Sequence, residues 1–111
     1  MEERERLTLD VLAVTDGDTS QHAFRITPTG ELDAESAPDL DAALDALIEG
    51  GASIVVLDAT SIEFIDSTGL RSIVAAGNKI RTRGGRLLIE GMSGAVQRVL
   101  EVTGLIDQYR R

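Results

Sequence analysis

Residues 53–58 read Ser-Ile-Val-Val-Leu-Asp, with four consecutive apolar residues from Ile54 to Leu57, three of them β-branched. So short a run suits a strand buried on both faces, as in the centre of a sheet with parallel neighbours. Its flanks agree. Upstream, Ser36 stands before Pro38 and Asp39, so a capping hydroxyl, an early proline and an early carboxylate mark a helix start. Leu40, Ala43, Leu44, Leu47 and Ile48 then recur with helical spacing until Gly50-Gly51 ends the pattern. Downstream, Phe64-Ile65-Asp66-Ser67-Thr68-Gly69-Leu70 reads as the junction where strand gives way to helix. Leu70, Ile73, Val74, Gly77 and Ile80 form one apolar stripe, closed by Arg83-Gly84-Gly85. Arg81 and Arg83 suit the negative end of that helix.

Further out, the first six residues, Met-Glu-Glu-Arg-Glu-Arg, are charged without periodicity and predict a flexible lead-in to a domain over 7–111. Leu7, Leu9 and Val11 alternate before the phase shifts to Leu12 and Val14, which predicts a strand with a bulge. A turn is expected over 15–21. A second strand, in which Phe24, Ile26 and Pro28 alternate with Arg25 and Thr27, would complete a hairpin. Pro28 argues there for a strand end or an unpaired edge. Arg86 to Glu90 reads as a short strand, and Ser93 opens a third helix carrying Val96, Val99 and Leu100, stopped by Gly104. The expected order is β-β-α-β-α-β-α. This predicts a single α/β domain, a mixed sheet of four to five strands with three to four helices packed on it and right-handed crossovers in its parallel part.

A chain of 111 residues is long enough for one core and too short for two. Its 42% hydrophobic and 27% charged residues fit a soluble globular protein and exclude a disordered one. No apolar run approaches the roughly 18 residues of a membrane span, and the start lacks a signal peptide's apolar segment, so a cytoplasmic location is expected. The absence of cysteine excludes disulfides and thiolate metal sites. A formal net charge of −8 would repel phosphate backbones and anionic lipid heads, making nucleic acid and membranes poor partners. A basic or ATP-handling protein partner stays open. Phe24, Phe64 and Tyr109 are too few for a base-stacking platform.

The chemically suggestive stretch is Asp66-Ser67-Thr68-Gly69. Its structural reading is an N-cap, with Asp66 or Ser67 accepting a bond from a first-turn amide, worth about 1 kcal/mol. Its functional reading starts from the same geometry: a hydroxyl at a helix start lies beside unpaired N–H groups and the positive dipole end, ready to receive a phosphoryl group. Gly69 would give another molecule clearance to approach. Arg71, four residues beyond Ser67, leans back toward the N-terminus and would reach a phosphate there, unless it is simply a solvated arginine. Glu31 and Asp33 are expected in a loop after the second strand, either as solvated turn residues or beside Ser67 at one edge of the sheet.

Enzymatic readings lack their parts. A serine nucleophile needs a base and an orienting acid, yet the stretch is not a G-x-S-x-G elbow and the sole histidine, His22, reads as a surface residue in a polar turn. No G-x-G-x-x-G or Walker-type loop occurs, so a nucleotide or small-ligand binder ranks last. Scattered acids define no metal site. We expect no catalytic residues, metal or cofactor.

Taken in order, Gly30-Glu31-Leu32-Asp33, the buried Ile-Val-Val-Leu-Asp strand, the Phe-Ile-Asp-Ser-Thr-Gly-Leu junction and Gly91-Met-Ser-Gly-Ala-Val-Gln-Arg-Val-Leu-Glu-Val-Thr-Gly-Leu105 resemble the anti-sigma factor antagonists of the STAS domain family, over roughly residues 7 to 109. The resemblance implies a bacterial partner-switching protein. Unphosphorylated, such an antagonist binds an anti-sigma factor, a serine kinase of the histidine-kinase-like ATPase fold, and frees a sigma factor. Phosphorylation by that kinase reverses the binding, and a PP2C-type phosphatase restores it. The implied phosphoacceptor is Ser67, with Thr68 second. The implied partner surface comprises Glu31, Leu32, Asp33, Asp66, Thr68, Gly69, Leu70 and Arg71. Pro28 and Arg71 depart from the family pattern, where an apolar strand residue and a glycine are common. The resemblance leaves open a soluble STAS adaptor subunit of a transporter or stress-signalling scaffold, and a monomer or a weak dimer.

Overall fold

The computed structural model describes residues 7–14 and 22–109, so the expected lead-in over 1–6, the expected turn over 15–21 and residues 110–111 lie outside it. The described chain runs β1 (Thr8–Val14), β2 (Ala23–Leu32), α1 (Ala37–Glu49), β3 (Ile54–Ala59), β4 (Ile62–Ile65), α2 (Ser67–Thr82), β5 (Arg86–Met92), α3 (Gly94–Thr103) and α4 (Ile106–Tyr109). The path through the sheet is β1-β2-β3-β5, and β4 pairs the far end of β2. β1 is antiparallel to β2, while the β2–β3, β2–β4 and β3–β5 pairs are all parallel.

Two elements extend the predicted order. β4 is only four residues long, too short to carry a readable period, and α4 is a single turn after the Gly104 stop. The proposed bulge in β1 is absent, since its register with β2 is continuous from Thr8↔Thr29 to Val14↔Ala23. Pro28 is neither a strand end nor an edge residue: it is buried inside β2, opposite Leu9 of β1. Its missing amide falls between the two parallel registers of β2, which stop at Ile26↔Leu57 and resume at Gly30↔Ile62. A proline removes one ladder bond, and that break is where the loss is smallest.

The core explains the uninterrupted run in β3. Val55, Leu57 and Ala59 join Ile26, Leu32 and Ile89 of the neighbouring strands in one buried cluster. α1 adds Leu40, Leu44 and Ile48, α2 adds Ile73, Ala76 and Ile80, and α3 adds Val96 and Leu100. Val56 points to the other face, outside that cluster, yet is only 4% exposed. Its register neighbour Arg25 reaches along this face, 3.4 Å from Asp58 and 2.5 Å from Glu90, tying three strands together. The apolar stem of the arginine covers aliphatic surface while its head stays paired.

α1 and α2 pack side by side and are fastened at their exposed margin. Lys79 Nζ lies 3.2 Å from Asp45 and 2.8 Å from Glu49, and Arg83 lies 3.3 Å from Glu49. The Lys79 hydrogen bond, followed by the charge of Arg83, holds the Glu49 carboxyl below the usual carboxylate range. A depressed carboxylate adds stability above its unfolded-state pKa and loses it as pH falls through the lowered folded value. Glu49→Gln should therefore flatten the acid limb of a stability-versus-pH profile, read as urea midpoints from pH 7 downward, with a small effect at neutral pH because the pair is solvated.

Candidate functional site

β2 ends, and α2 begins, at the same place. Glu31, expected in a loop, and Leu32 are instead the last residues of β2, and they register with Phe64 and Ile65 of β4. The Asp66 amide then donates to the Leu32 carbonyl at 3.2 Å. The two sequence motifs are thus strand neighbours, and the chain passes from their pairing directly into α2.

Asp66 caps α2. Its backbone is extended, its Oδ1 accepts from the Gly69 amide at 2.9 Å, and its carbonyl accepts from Leu70 N at 2.9 Å. Ser67, the first helical residue, is exposed, and among the described residues its hydroxyl makes no hydrogen bond. The open choice of cap between Asp66 and Ser67 is settled for Asp66. By helix geometry the amides of Ser67 and Thr68 lack an intrahelical partner, so two donors and the positive dipole end adjoin the free hydroxyl. Thr68 is half-buried, and its carbonyl accepts from the Ser72 hydroxyl at 3.4 Å. Arg71 is exposed one turn along from Ser67, and Leu70 is half-buried against the core.

Gly69 serves a different purpose from the one expected. A Cβ there would stand 2.7 Å from both Leu32 Cγ and the Leu32 carbonyl oxygen, and 3.2 Å from Ile65 Cγ1. The missing side chain admits β2 to the helix, not a second molecule to the hydroxyl. Leu32, expected at the partner surface, is likewise fully buried. These two residues position the site from inside.

Asp33 is also a supporting residue. It is 9% exposed, and its Oδ1 accepts from the amides of Glu35 and Ser36, both at 3.1 Å. Those are N-cap bonds, and Ala37 N donates to the Asp33 carbonyl at 2.7 Å. Ser36, expected to cap α1, makes no side-chain cap bond; its hydroxyl donates to the Glu31 carbonyl at 2.7 Å and accepts from Asp33 N at 3.0 Å. The turn that leads into α1 is therefore organised by Asp33. His22 is exposed as expected, and among the described residues no three His, Cys, Asp or Glu side chains group as metal ligands. Among the described residues, no helix is long and apolar enough to cross a membrane.

Comparison with known proteins bears on this junction. The family model for the STAS domain matches residues 14–109. The chain belongs to the STAS domain family. It is 36% identical over 78 residues to an anti-sigma-B factor antagonist of Listeria monocytogenes, covering 70% of this chain and 68% of that one. It is 32% identical over 88 residues to the anti-sigma-B factor antagonist of Bacillus subtilis, covering 79% and 80%. Among solved structures, the anti-sigma factor antagonist SpoIIAA in its unphosphorylated form superposes with a TM-score of 0.78 at 19% identity, over 94% of this chain and 86% of that one. The phosphorylated form of SpoIIAA gives 0.74, again at 19% identity, over 94% and 89%. At that identity the likeness is one of fold: this STAS domain has the expected single α/β architecture, with five strands and four helices among its described residues.

Two substitutions test the inward-facing members of the site. Gly69→Ala gains up to about 1 kcal/mol in helix propensity but sets a methyl against backbone, so a net loss of about 1–3 kcal/mol is expected, read as a lower urea midpoint at unchanged slope. Asp33→Ala should cost about 1–2 kcal/mol through the lost cap, while Asp33→Asn, which keeps an acceptor oxygen, should recover most of it in the same thermal melts.

Proposed function

We propose that this STAS domain is an anti-sigma factor antagonist that works as a partner switch, with Ser67 as the phosphoacceptor. Unphosphorylated, it binds an anti-sigma factor and releases a sigma factor. That anti-sigma factor is a serine kinase of the histidine-kinase-like ATPase fold, which phosphorylates Ser67 and loses its grip, and a PP2C-type phosphatase resets the switch in the cytoplasm. The observation that carries the reading is the Ser67 hydroxyl: exposed, unbonded among the described residues and relieved of capping by Asp66. Thr68, half-buried in the same turn, is the second acceptor. The family membership and the antagonist relatives support the class of partner. The domain itself acts as a regulator and not as an enzyme.

The switch is electrostatic. A phosphate adds about 1.5–2 negative charges to a chain already at −8, beside the Asp66 carboxylate. Repulsion of about 2–3 kcal/mol against a nucleotide-bearing partner lowers affinity by roughly 30- to 150-fold. Glu31, Thr68, Leu70 and Arg71 stand around Ser67 as contacts for that partner, while Leu32, Asp33, Asp66 and Gly69 hold the acceptor in place.

Incubation with the cognate kinase and ATP should put a single phosphate on Ser67, located by mass spectrometry, and Ser67→Ala should abolish it. Ser67→Glu should weaken anti-sigma binding by roughly 30-fold or more and leave the melting temperature nearly unchanged, since the hydroxyl supports no fold contact. Phosphate that persists in Ser67→Ala, or a pull-down that recovers transporter components in place of a kinase, overturns the assignment.

A further inference from the structure

Phe64 is 46% exposed, although a chain with three aromatics has every reason to bury them. Phe24 is half-buried against the core and Tyr109 is 2% exposed, which makes Phe64 the one aromatic offered to solvent. Among the described residues, the other large apolar side chains at the surface are Val11, Leu12 and Val14 on β1 and Val102 near the end of α3. Phe64 alone stands on the segment that leads into Ser67. We propose that Phe64 is an apolar anchor of the partner interface, inserting into an apolar pocket on the anti-sigma factor beside the point where the phosphoryl group is transferred.

The inference rests on the partner-switch reading of Ser67 and deepens it. Three features of the structure carry it. The first is rigidity: Ile62 and Ile65 on either side are 0% and 8% exposed, Phe64 is in register with Glu31 of β2, and Asp66 N donates to the Leu32 carbonyl. A ring carried on so firmly held a backbone loses little freedom on binding, and aromatics on such supports dominate interface energetics. The second is reach. Two residues separate Phe64 from Ser67, so even fully extended their Cα atoms stand no more than about 11 Å apart. The partner's pocket therefore lies near its phosphoryl donor. The third is exposure: β4 packs against α3, yet about half of Phe64 stays open to solvent, so apolar surface is left there for a partner to cover.

Phe64 touches no reacting atom, so its contribution is to binding that is equal in the ground and transition states. Loss of such binding raises KM and leaves kcat unchanged. The test uses the purified cognate anti-sigma factor and the full chain. By calorimetry, Phe64→Ala should weaken binding by about 30-fold or more, Phe64→Leu should recover much of it, and Val102→Ala, at a still more exposed site near the end of α3, should change nothing. In steady-state phosphorylation, Phe64→Ala should raise KM for the antagonist by a similar factor with kcat within twofold. If Phe64→Ala does not fold, as judged by circular dichroism, Phe64→Gln carries the same comparison. Binding of Phe64→Ala within threefold of wild type, an unchanged KM, or an equal loss in Val102→Ala overturns the anchor while the Ser67 reading stands. A wild-type chain that binds no anti-sigma kinase overturns the reading and the anchor together.

Discussion

The close approach of α2 to the end of β2 is the constraint on which the rest of the site depends. Where Gly69 faces Leu32, any side chain would stand within 2.7 Å of both the leucine side chain and its carbonyl. That carbonyl also receives the Asp66 amide, so one peptide of β2 both terminates the strand ladder and seats the helix. A backbone carbonyl cannot yield as a flexible side chain can, and the helix start is fixed in position and direction. Ser67 inherits that fixity. Its hydroxyl is presented to solvent because the residues on either side of it are committed elsewhere: Asp66 to the cap and Gly69 to the strand.

The same constraint explains how a modification can act without disturbing the fold. A phosphoryl group on Ser67 meets the free amides of the first turn and the positive end of the helix, a favourable setting for an anion. The first-turn amides and the helix dipole offset the repulsion of the adjacent Asp66 carboxylate, so the free-energy consequence of the charge falls mainly on whatever is docked against the site. A ligand or modification shifts an equilibrium only by its differential interaction with two states. In the proposed switch the two states are bound and free, and no rearrangement of the domain is needed.

Most of the architecture was legible because it depends on periods and stops that sequence displays. The uninterrupted Ile54–Leu57 run, the helical stripe from Leu40 to Ile48 and the Gly104 stop all appear where they were expected; Gly104 closes α3 in the left-handed conformation with φ 76°. What was hidden depends on contacts between distant segments. β4 exists because Ile62 and Ile65 find the end of β2, and four residues cannot announce that pairing by themselves. Pro28 looked like an edge signal because a proline's lost amide is a local fact, whereas the gap between two parallel registers that tolerates it is a tertiary one. Of the site, the Asp66–Gly69 motif was readable as a cap. Which carboxylate caps which helix was not: Asp33 took the role assigned to Ser36, in a turn that begins three residues before the expected start. Gly69 and Leu32 were read as outward-facing because a motif gives identities without directions, and only the close approach of β2 shows that both point in.

Direction is what the junction controls. Along the Phe-Ile-Asp-Ser-Thr-Gly-Leu stretch the chain changes from the two-residue alternation of a strand to the 3.6-residue turn of a helix. Ile65 and Gly69 lie on the inner side of that change, while Phe64, Ser67 and Arg71 fall on the outer side. Had the strand run on by one residue, Ser67 would have pointed where Gly69 now packs, and a hydroxyl at that depth would be both unmodifiable and without a partner. The Asp66 cap ends the extended backbone at the one residue that keeps the Ser67 hydroxyl outside. Its small energy, about 1 kcal/mol for a cap of this kind, matters less for stability than for phase, since it decides which side chains another protein meets.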